Sequence, residues 1–305
     1  MMTTVTDPTV PPRDAPLPMK AIPQRHPWRY VSAAVLLVFA AMLLNSFITN
    51  PAWGWSTVWQ YLFSPQILKG VWLTVWVTIA AMIIGIGLGV VLAVMRLSVN
   101  PIVKGVAWIY IWFFRGTPVL VQIIFWVFLG QLYRFVSLGI PFGPQFLYFN
   151  TTELIPVIVG GLLALGLNEA AYMAEIVRSG ITSVDPGQTE AAEALGMTRL
   201  KVMRRIVLPQ AMRIIVPPTG NETISMLKTT SLLSVAAILE LFGTAQLIYG
   251  SNYKQIPLLV VASIWYLAFT SVMSVGQYFL ERRFGRGTAR GKPRAKPKLE
   301  MGGRL

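Results

Sequence analysis

Long runs of residues without a single charge decide what this sequence can fold into. Tyr30–Ile48, Gly70–Met95 and Ile256–Leu280 supply 19, 26 and 25 consecutive residues free of Asp, Glu, Lys and Arg. A bilayer core about 30 Å thick is crossed by about 20 apolar residues of α-helix. A backbone with no water around it must satisfy its own hydrogen bonds, and a helix does so within one segment. Three weaker stretches join the strong ones. Leu154–Ala174 has the right length but contains Asn168 and Glu169, and Gly220–Leu241 is interrupted by Glu222 and Lys228. Pro118–Leu132 is short and follows the break Arg115-Gly116-Thr117-Pro118. The expectation is an all-α membrane protein with six transmembrane helices.

Composition excludes most other classes. Only 12% of the 305 residues are charged, against about 25% in soluble domains, which argues against an ordinary cytosolic enzyme. The absence of cysteine removes disulfides, thiolate nucleophiles and zinc–cysteine sites. A single histidine, His26, leaves no histidine-rich metal centre. The net charge of +14 could suit nucleic acid, but its placement follows membrane topology, so no nucleic-acid partner is expected.

Lys and Arg accumulate in cytoplasmic loops. Here Arg13, Lys20, Arg25 and Arg29 precede the first span, and Thr49–Ile67 after it holds no basic residue. Arg96, Lys104 and Arg115 separate the second and third spans, whereas only Arg134 follows the third. Six basic residues between Arg178 and Arg213 follow the fourth span, and only Lys254 follows the fifth. The C-terminal tail carries nine more, from Arg282 to Arg304. The alternation places both termini in the cytoplasm. Residues 1–29 hold seven prolines and no apolar period, the pattern of a disordered cytoplasmic tail. Residues 30–48 read as an uncleaved helix, because the polar leader is long and no small-x-small cleavage site is evident; a cleavable signal peptide is the rival reading, and the charge alternation does not separate the two. Residues 286–305 form a basic tail suited to anionic lipid headgroups. Its Gly291-Lys292-Pro293 lacks the Ser or Thr of a phosphate-binding loop.

Most of the chemical information lies between Arg178 and Pro218. Asp185-Pro186 starts a helix, with Asp185 as N-cap, Pro186 at the first helical position and Gln188 placed to complete a capping box. The helix stops at Gly196, which suits the left-handed position after a helix. Thr198 then caps a second, basic helix, Arg199–Leu208, which meets Pro209. Alone, such a pattern fits an ordinary amphipathic surface loop equally well.

Glu190-Ala191-Ala192, three residues, Gly196, nine residues, then Ile206-Val207-Leu208-Pro209 resembles the EAA motif of ABC importer permeases at every spacing. Phe114-Arg115-Gly116-Thr117-Pro118, Asn168-Glu169-Ala170-Ala171-Tyr172 and Lys228-Thr229-Thr230-Ser231-Leu232 are similar to stretches of the polar amino acid uptake subfamily. The resemblance covers residues 65–285 and implies a five-helix permease core, with residues 30–48 as an extra N-terminal helix. It implies that segment 186–196 is a coupling helix, with Glu190, Ala191, Ala192, Gly196, Ile206, Leu208 and Pro209 contacting an ATPase. It assigns Arg115, Gly116, Thr117 and Pro118 to gating or to the start of a helix. The implied partners are a second permease subunit, identical or paralogous, two cytoplasmic ABC ATPases, an extracytoplasmic amino-acid-binding protein and membrane lipid. ATP and Mg would bind the ATPase, so this chain would carry no cofactor and catalyse no covalent reaction.

Ionisable residues inside spans are costly and usually functional. Asn168, Tyr172 and Glu175 lie at helical spacing on one face, with Glu169 beside it. Asn221, Ser225 and Lys228 form a second face, which Glu222 adjoins and Thr229, Thr230 and Ser231 extend. Together these faces offer an acceptor for an ammonium group and donors for a carboxylate, as a substrate path for a zwitterion requires. Glu169 and Glu222 could instead only pair with Lys228 or Arg178 and hold helices together. Thr229 follows Lys228 where similar importers often carry an acidic residue, which leads to an expected preference for neutral or acidic amino acids. Gly85-x-x-x-Gly89 reads as a helix-packing face. Trp55, Trp59, Trp72 and Trp76 read as an interfacial belt.

An ion-driven carrier or channel would explain the intramembrane Glu and Lys but not an EAA helix. A membrane enzyme finds no paired carboxylates on one face. Reporter fusions at residues 20 and 290 should both report the cytoplasm, and one inserted near Ser56 the outside; an external residue 290 would break the six-span topology.

Overall fold

A computed structural model of the chain describes residues 27–140 and 142–284. The tails expected for residues 1–29 and 286–305 lie outside the described residues, apart from 27–29, which open the first helix. The chain divides into two units, residues 1–53 and 54–305. The first contains α1 (Pro27–Thr49), long and apolar enough to cross a membrane. A 3₁₀ turn, Pro51–Trp53, follows it, and the rings of Phe47 and Trp53 meet edge-on at 4.6 Å.

The second unit starts with α2 (Trp55–Leu62) and α3 (Pro65–Arg96). Ser64 caps α3, its hydroxyl accepting from Ile67 N–H at 3.4 Å, and Pro65 stands at the first turn. The helix therefore begins before Gly70, and Lys69 lies exposed within its first turns. Trp59, Trp72 and Trp76 are exposed along α2 and α3.

The third candidate span is a bent helix pair that begins before the expected Pro118–Leu132. Its first half is α4 (Pro101–Gly116), whose Lys104 and Arg115 hid it from a search for uncharged runs. Its second half is α5 (Val119–Val127), bent from α4 by 102°. After the short α6 (Leu129–Leu132), strands β1 (Phe135–Gly139) and β2 (Gln145–Asn150) form an antiparallel hairpin. Sequence reading placed only a connecting loop there. The segment qualifies as strand because Val136 and Leu138 pair with Phe149 and Leu147 on one apolar face, an alternation too short to register as a span.

Next come α7 (Thr151–Leu154) and α8 (Val157–Thr182). Helices α3, α4 and α5 all pack on α8, which is the axis of this unit. Its packing on α3 is tight at the Gly85 face. A Cβ on Gly85 would lie 2.5 Å from Glu169 Cγ, and one on Gly89 2.5 Å from Met173 Cβ, whereas Gly87 faces open space.

Beyond α8 lie α9 (Pro186–Ala194) and α10 (Arg199–Val202), then a π-helical turn, Met203–Val207. Helix α11 (Leu208–Thr229) continues directly from it, so the chain does not stop at Pro209. The wider π turn loosens the hydrogen-bond register where proline brings no donor and its ring needs room. A 3₁₀ segment, Thr230–Ala236, leads to α12 (Leu241–Asn252) and then to α13 (Gln255–Phe284). Among the described residues four helices are long and apolar enough to span a bilayer, six spans if each of the two bent pairs counts as one. The second bent pair, Arg199–Ala236 with Leu241–Asn252, turns by 43° and holds the expected fifth span.

Glu240, which sequence reading passed over, explains that second bend. Fully buried, its carboxylate accepts from Phe242 N–H (2.9 Å), Gly243 N–H (2.6 Å) and the hydroxyls of Tyr266 (2.9 Å) and Thr74 (3.3 Å). It caps α12 inside the bundle and ties the cap to α3 and α13.

The packing has a sharp steric test. Gly89→Leu should destabilise the chain by about 1–3 kcal/mol, the usual cost of overpacking, and lower its melting temperature in detergent. Gly87→Leu should leave it unchanged; equal effects would refute the close contact of α3 with α8.

Candidate functional site

The site is built on the break between α4 and α5. Pro118 has no N–H, so the Phe114 carbonyl one turn earlier loses its helical donor. Inside a bilayer that oxygen must find another. Asn168 of α8 donates its Nδ2 to it at 2.9 Å, and Gln122 of α5 donates its Nε2 at 3.0 Å. Gln122 also donates to Thr117 O (3.2 Å) and Thr117 Oγ1 (2.7 Å), and Asn168 Nδ2 reaches Gln122 Oε1 at 3.2 Å. The sharp bend is therefore held by two side-chain amides. Gln122, buried and essential to this arrangement, was not singled out from the sequence, although it is a lone amide one turn past a proline in an apolar run.

The bend opens a cavity of about 470 Å³ lined by Arg115, Gly116, Thr117, Pro118, Asn168 and Glu169, with Tyr172, Ser225 and Thr229 among the remainder. That volume lies within the range of small-molecule sites, about 300–1,000 Å³. The Arg115 guanidinium stacks over the Tyr172 ring, 5.1 Å from its centroid. Glu169 is 4% exposed, and its Oε1 is buried with no hydrogen-bond partner. Glu222 lies within electrostatic reach of both Glu169 and Arg115. Glu169 and Arg115 both line the cavity, so it has a carboxyl side chain on one wall and a guanidinium on another.

Several expected residues stand apart from this cavity. Lys228 and Asn221 are exposed and outside its lining. Thr230 and Ser231 lie beyond α11 and donate to Leu227 O and Lys228 O, as hydroxyls at a helix end do. Glu175 receives Arg178 through its Nε (3.0 Å) and Nη2 (2.7 Å) and lines a neighbouring cavity.

The segment after α8 follows its expected start and stop. The Asp185 carboxylate accepts from Gly187 N–H at 2.7 Å, and Pro186 opens α9. At the other end Gly196 has φ +78°. Gly196 N–H donates to Glu193 O (2.9 Å) and Met197 N–H to Ala192 O (3.1 Å), the paired bonds of a left-handed helix stop. Thr198 sits at the N-cap of α10 without a side-chain cap bond. Ala192 is buried against Val202 and Val207, so α9 packs on the π turn that leads into α11. Ile206 is partly buried, Leu208 and Pro209 are exposed, and Glu190 and Ala191 face outward. Leu195 and Leu200 are 84% and 78% exposed, large apolar groups that sequence reading did not mark as a contact surface.

Comparison with known proteins fits this geometry. Residues 85–286 match the family described as binding-protein-dependent transport system inner membrane component. An arginine transport system permease protein of Corynebacterium glutamicum is 49% identical over 90% of this chain and 86% of its own length. A probable amino-acid ABC transporter permease protein of Bacillus subtilis is 32% identical over 75% of this chain and 97% of its own. A crystal structure of an amino acid ABC transporter with histidines aligns with a TM-score of 0.61 and 36% identity, covering 72% of this chain and 95% of that one.

Gly196 tests the segment after α8. A Cβ there would meet nothing within 4 Å, so Gly196→Val acts only through the backbone, where a β-branched residue is strained at positive φ. Normal membrane insertion with uptake lost or uncoupled from ATP hydrolysis is expected. Wild-type uptake would refute a coupling role for this loop.

Proposed function

This chain belongs to the family of binding-protein-dependent transport system inner membrane components, and from that membership we propose how it carries its substrate. As an importer permease it is an integral inner-membrane protein that works with an ATPase and a binding protein and performs no covalent chemistry. In the proposed complex two permease subunits pair, two ATPases dock on the α9 segments, and both termini are cytoplasmic. Residues 30–48 are the extra helix and 65–285 the transport core. ATP binding moves α9 through Glu190, Ala191 and Ala192, and the paired cores rock between inward- and outward-facing states.

The substrate is a polar amino acid held at the α4–α5 break. The observation that carries this reading is one cavity lined by both the Glu169 carboxyl group and the Arg115 guanidinium. A zwitterion places its ammonium or a cationic side chain against the first and its carboxylate against the second.

The charge of the side chain reverses the expectation drawn from Thr229. That expectation placed the Lys228 charge beside the path, yet Lys228 lies outside the lining, while Glu169 borders the cavity. The relative from Corynebacterium glutamicum carries arginine in its name. Both favour a cationic amino acid of the arginine type, since a buried charge needs a partner of opposite sign.

Competition binding on the nucleotide-free permease–ATPase complex removes the binding protein's own selectivity. Arginine should displace labelled arginine at least about tenfold better than glutamine or glutamate, some 1.4 kcal/mol. Glu169→Gln should weaken arginine by a similar factor while the complex still assembles. Equal or better competition by glutamate would overturn the cationic assignment.

A further inference from the structure

A second cavity, of about 430 Å³, adjoins the first. It is lined by Arg96 at the end of α3, Trp108, Trp112 and Arg115 of α4, and Tyr172 and Glu175 of α8. Arg115 and Tyr172 border both cavities, so their stacked side chains form the partition. From Asn168 to Glu175 the chain runs toward α9, and this cavity therefore lies on the α9 side of the central one.

Its electrostatics are unbalanced. Glu175 already accepts two hydrogen bonds from Arg178 on Oε2, and its Oε1 stands 3.9 Å from Arg96 Nε, beyond hydrogen-bond range. Arg96 Nε is buried without any hydrogen bond. One carboxylate thus stands between two guanidiniums, and a third, Arg115, lines the same cavity, so positive charge outweighs negative there. Beside them, the Trp108 and Trp112 rings lie nearly parallel, 12° apart with centroids at 6.3 Å, a flat aromatic surface of the kind that accepts a cation or an aliphatic stem.

We propose that this cavity is a second station for the transported amino acid, occupied after the central one, in which Arg96 and Arg115 hold the α-carboxylate and the tryptophan pair carries the side chain. This rests on the central cavity being the substrate site. Arg115 serves both stations, so the carboxylate can pass from one to the other without losing its guanidinium, while the side chain exchanges Glu169 for the aromatic surface. A phospholipid phosphate offers the same negative charge and is the competing occupant.

The test is equilibrium binding of labelled L-arginine to the nucleotide-free permease–ATPase complex in nanodiscs of phosphatidylcholine, and again with phosphatidylglycerol added. Two classes of site per permease chain are expected in both lipids. Arg96→Gln should remove the weaker class or weaken it at least tenfold and leave the tighter one unchanged, whereas Glu169→Gln should do the reverse. Trp112→Ala, which leaves every charge in place, should weaken the same class as Arg96→Gln and decides the matter if that variant fails to assemble. A single class abolished by Glu169→Gln would overturn the second station and leave the central site standing. No arginine binding at all would overturn both. A second class lost when phosphatidylglycerol is added would assign the cavity to a headgroup and overturn the proposal.

Discussion

A carbonyl oxygen deprived of its donor is the point on which the site depends. Pro118 leaves Phe114 O without its helical partner in mid-span, and the side-chain amides of Asn168 and Gln122 supply one. Were that oxygen unsatisfied, the break would cost several kcal/mol in hydrocarbon. With it satisfied, the chain holds a 102° turn, and the volume vacated by a straight helix becomes a polar cavity. Asn168 thus does double duty. Both its amide hydrogens are engaged by the bend, and only its Oδ1 remains to meet a solute.

The second bend follows the same rule by different means. Between the 3₁₀ segment and α12 the backbone again leaves the helical register, and the Glu240 carboxylate takes the free N–H groups of Phe242 and Gly243. Its remaining capacity is filled by Tyr266 and Thr74 from α13 and α3. A polar side chain buried at membrane depth here serves the backbone, not a solute. That is the criterion separating Glu240 from Glu169, which shares its burial but has an oxygen without a partner.

Legibility in the sequence tracked how local each feature is. The ends of α9 were readable because Asp185, Pro186 and Gly196 act on their own backbone. Long uncharged spans were readable for the same reason. Helix α4 was missed because Arg115 closes it, and only the tertiary structure shows that this charge stacks on Tyr172 beside a cavity. Pro209 was read as a stop because a π turn is not encoded by any single residue. The grouping of Asn168, Glu169 and Tyr172 was visible from helical spacing. That Lys228 would lie outside the cavity while Gln122 would hold the bend beside it was not, since both depend on how α5 and α11 rotate against α8.

Helix α9 packs on the continuous stretch that runs from α10 through the π turn and α11 to the cavity, and that construction suits the proposed motion. Ala192 of α9 packs on Val202 and Val207, and Val207 ends the π turn from which α11 grows. About 26 Å further along that helix, at 1.5 Å per residue, Ser225, Met226 and Thr229 line the cavity. Between the two ends lie Pro217 and Pro218, neither of which contributes a backbone donor. Gln277 of α13 braces this stretch by donating to Pro217 O at 2.8 Å, and its Oε1 sits where a side chain on Gly220 would be. A displacement of α9 therefore reaches the cavity through a helix whose softest stretch is clamped from one side by α13. In the proposed rocking motion such a helix would move its two ends together instead of folding at the prolines, with Gln277 as the clamp.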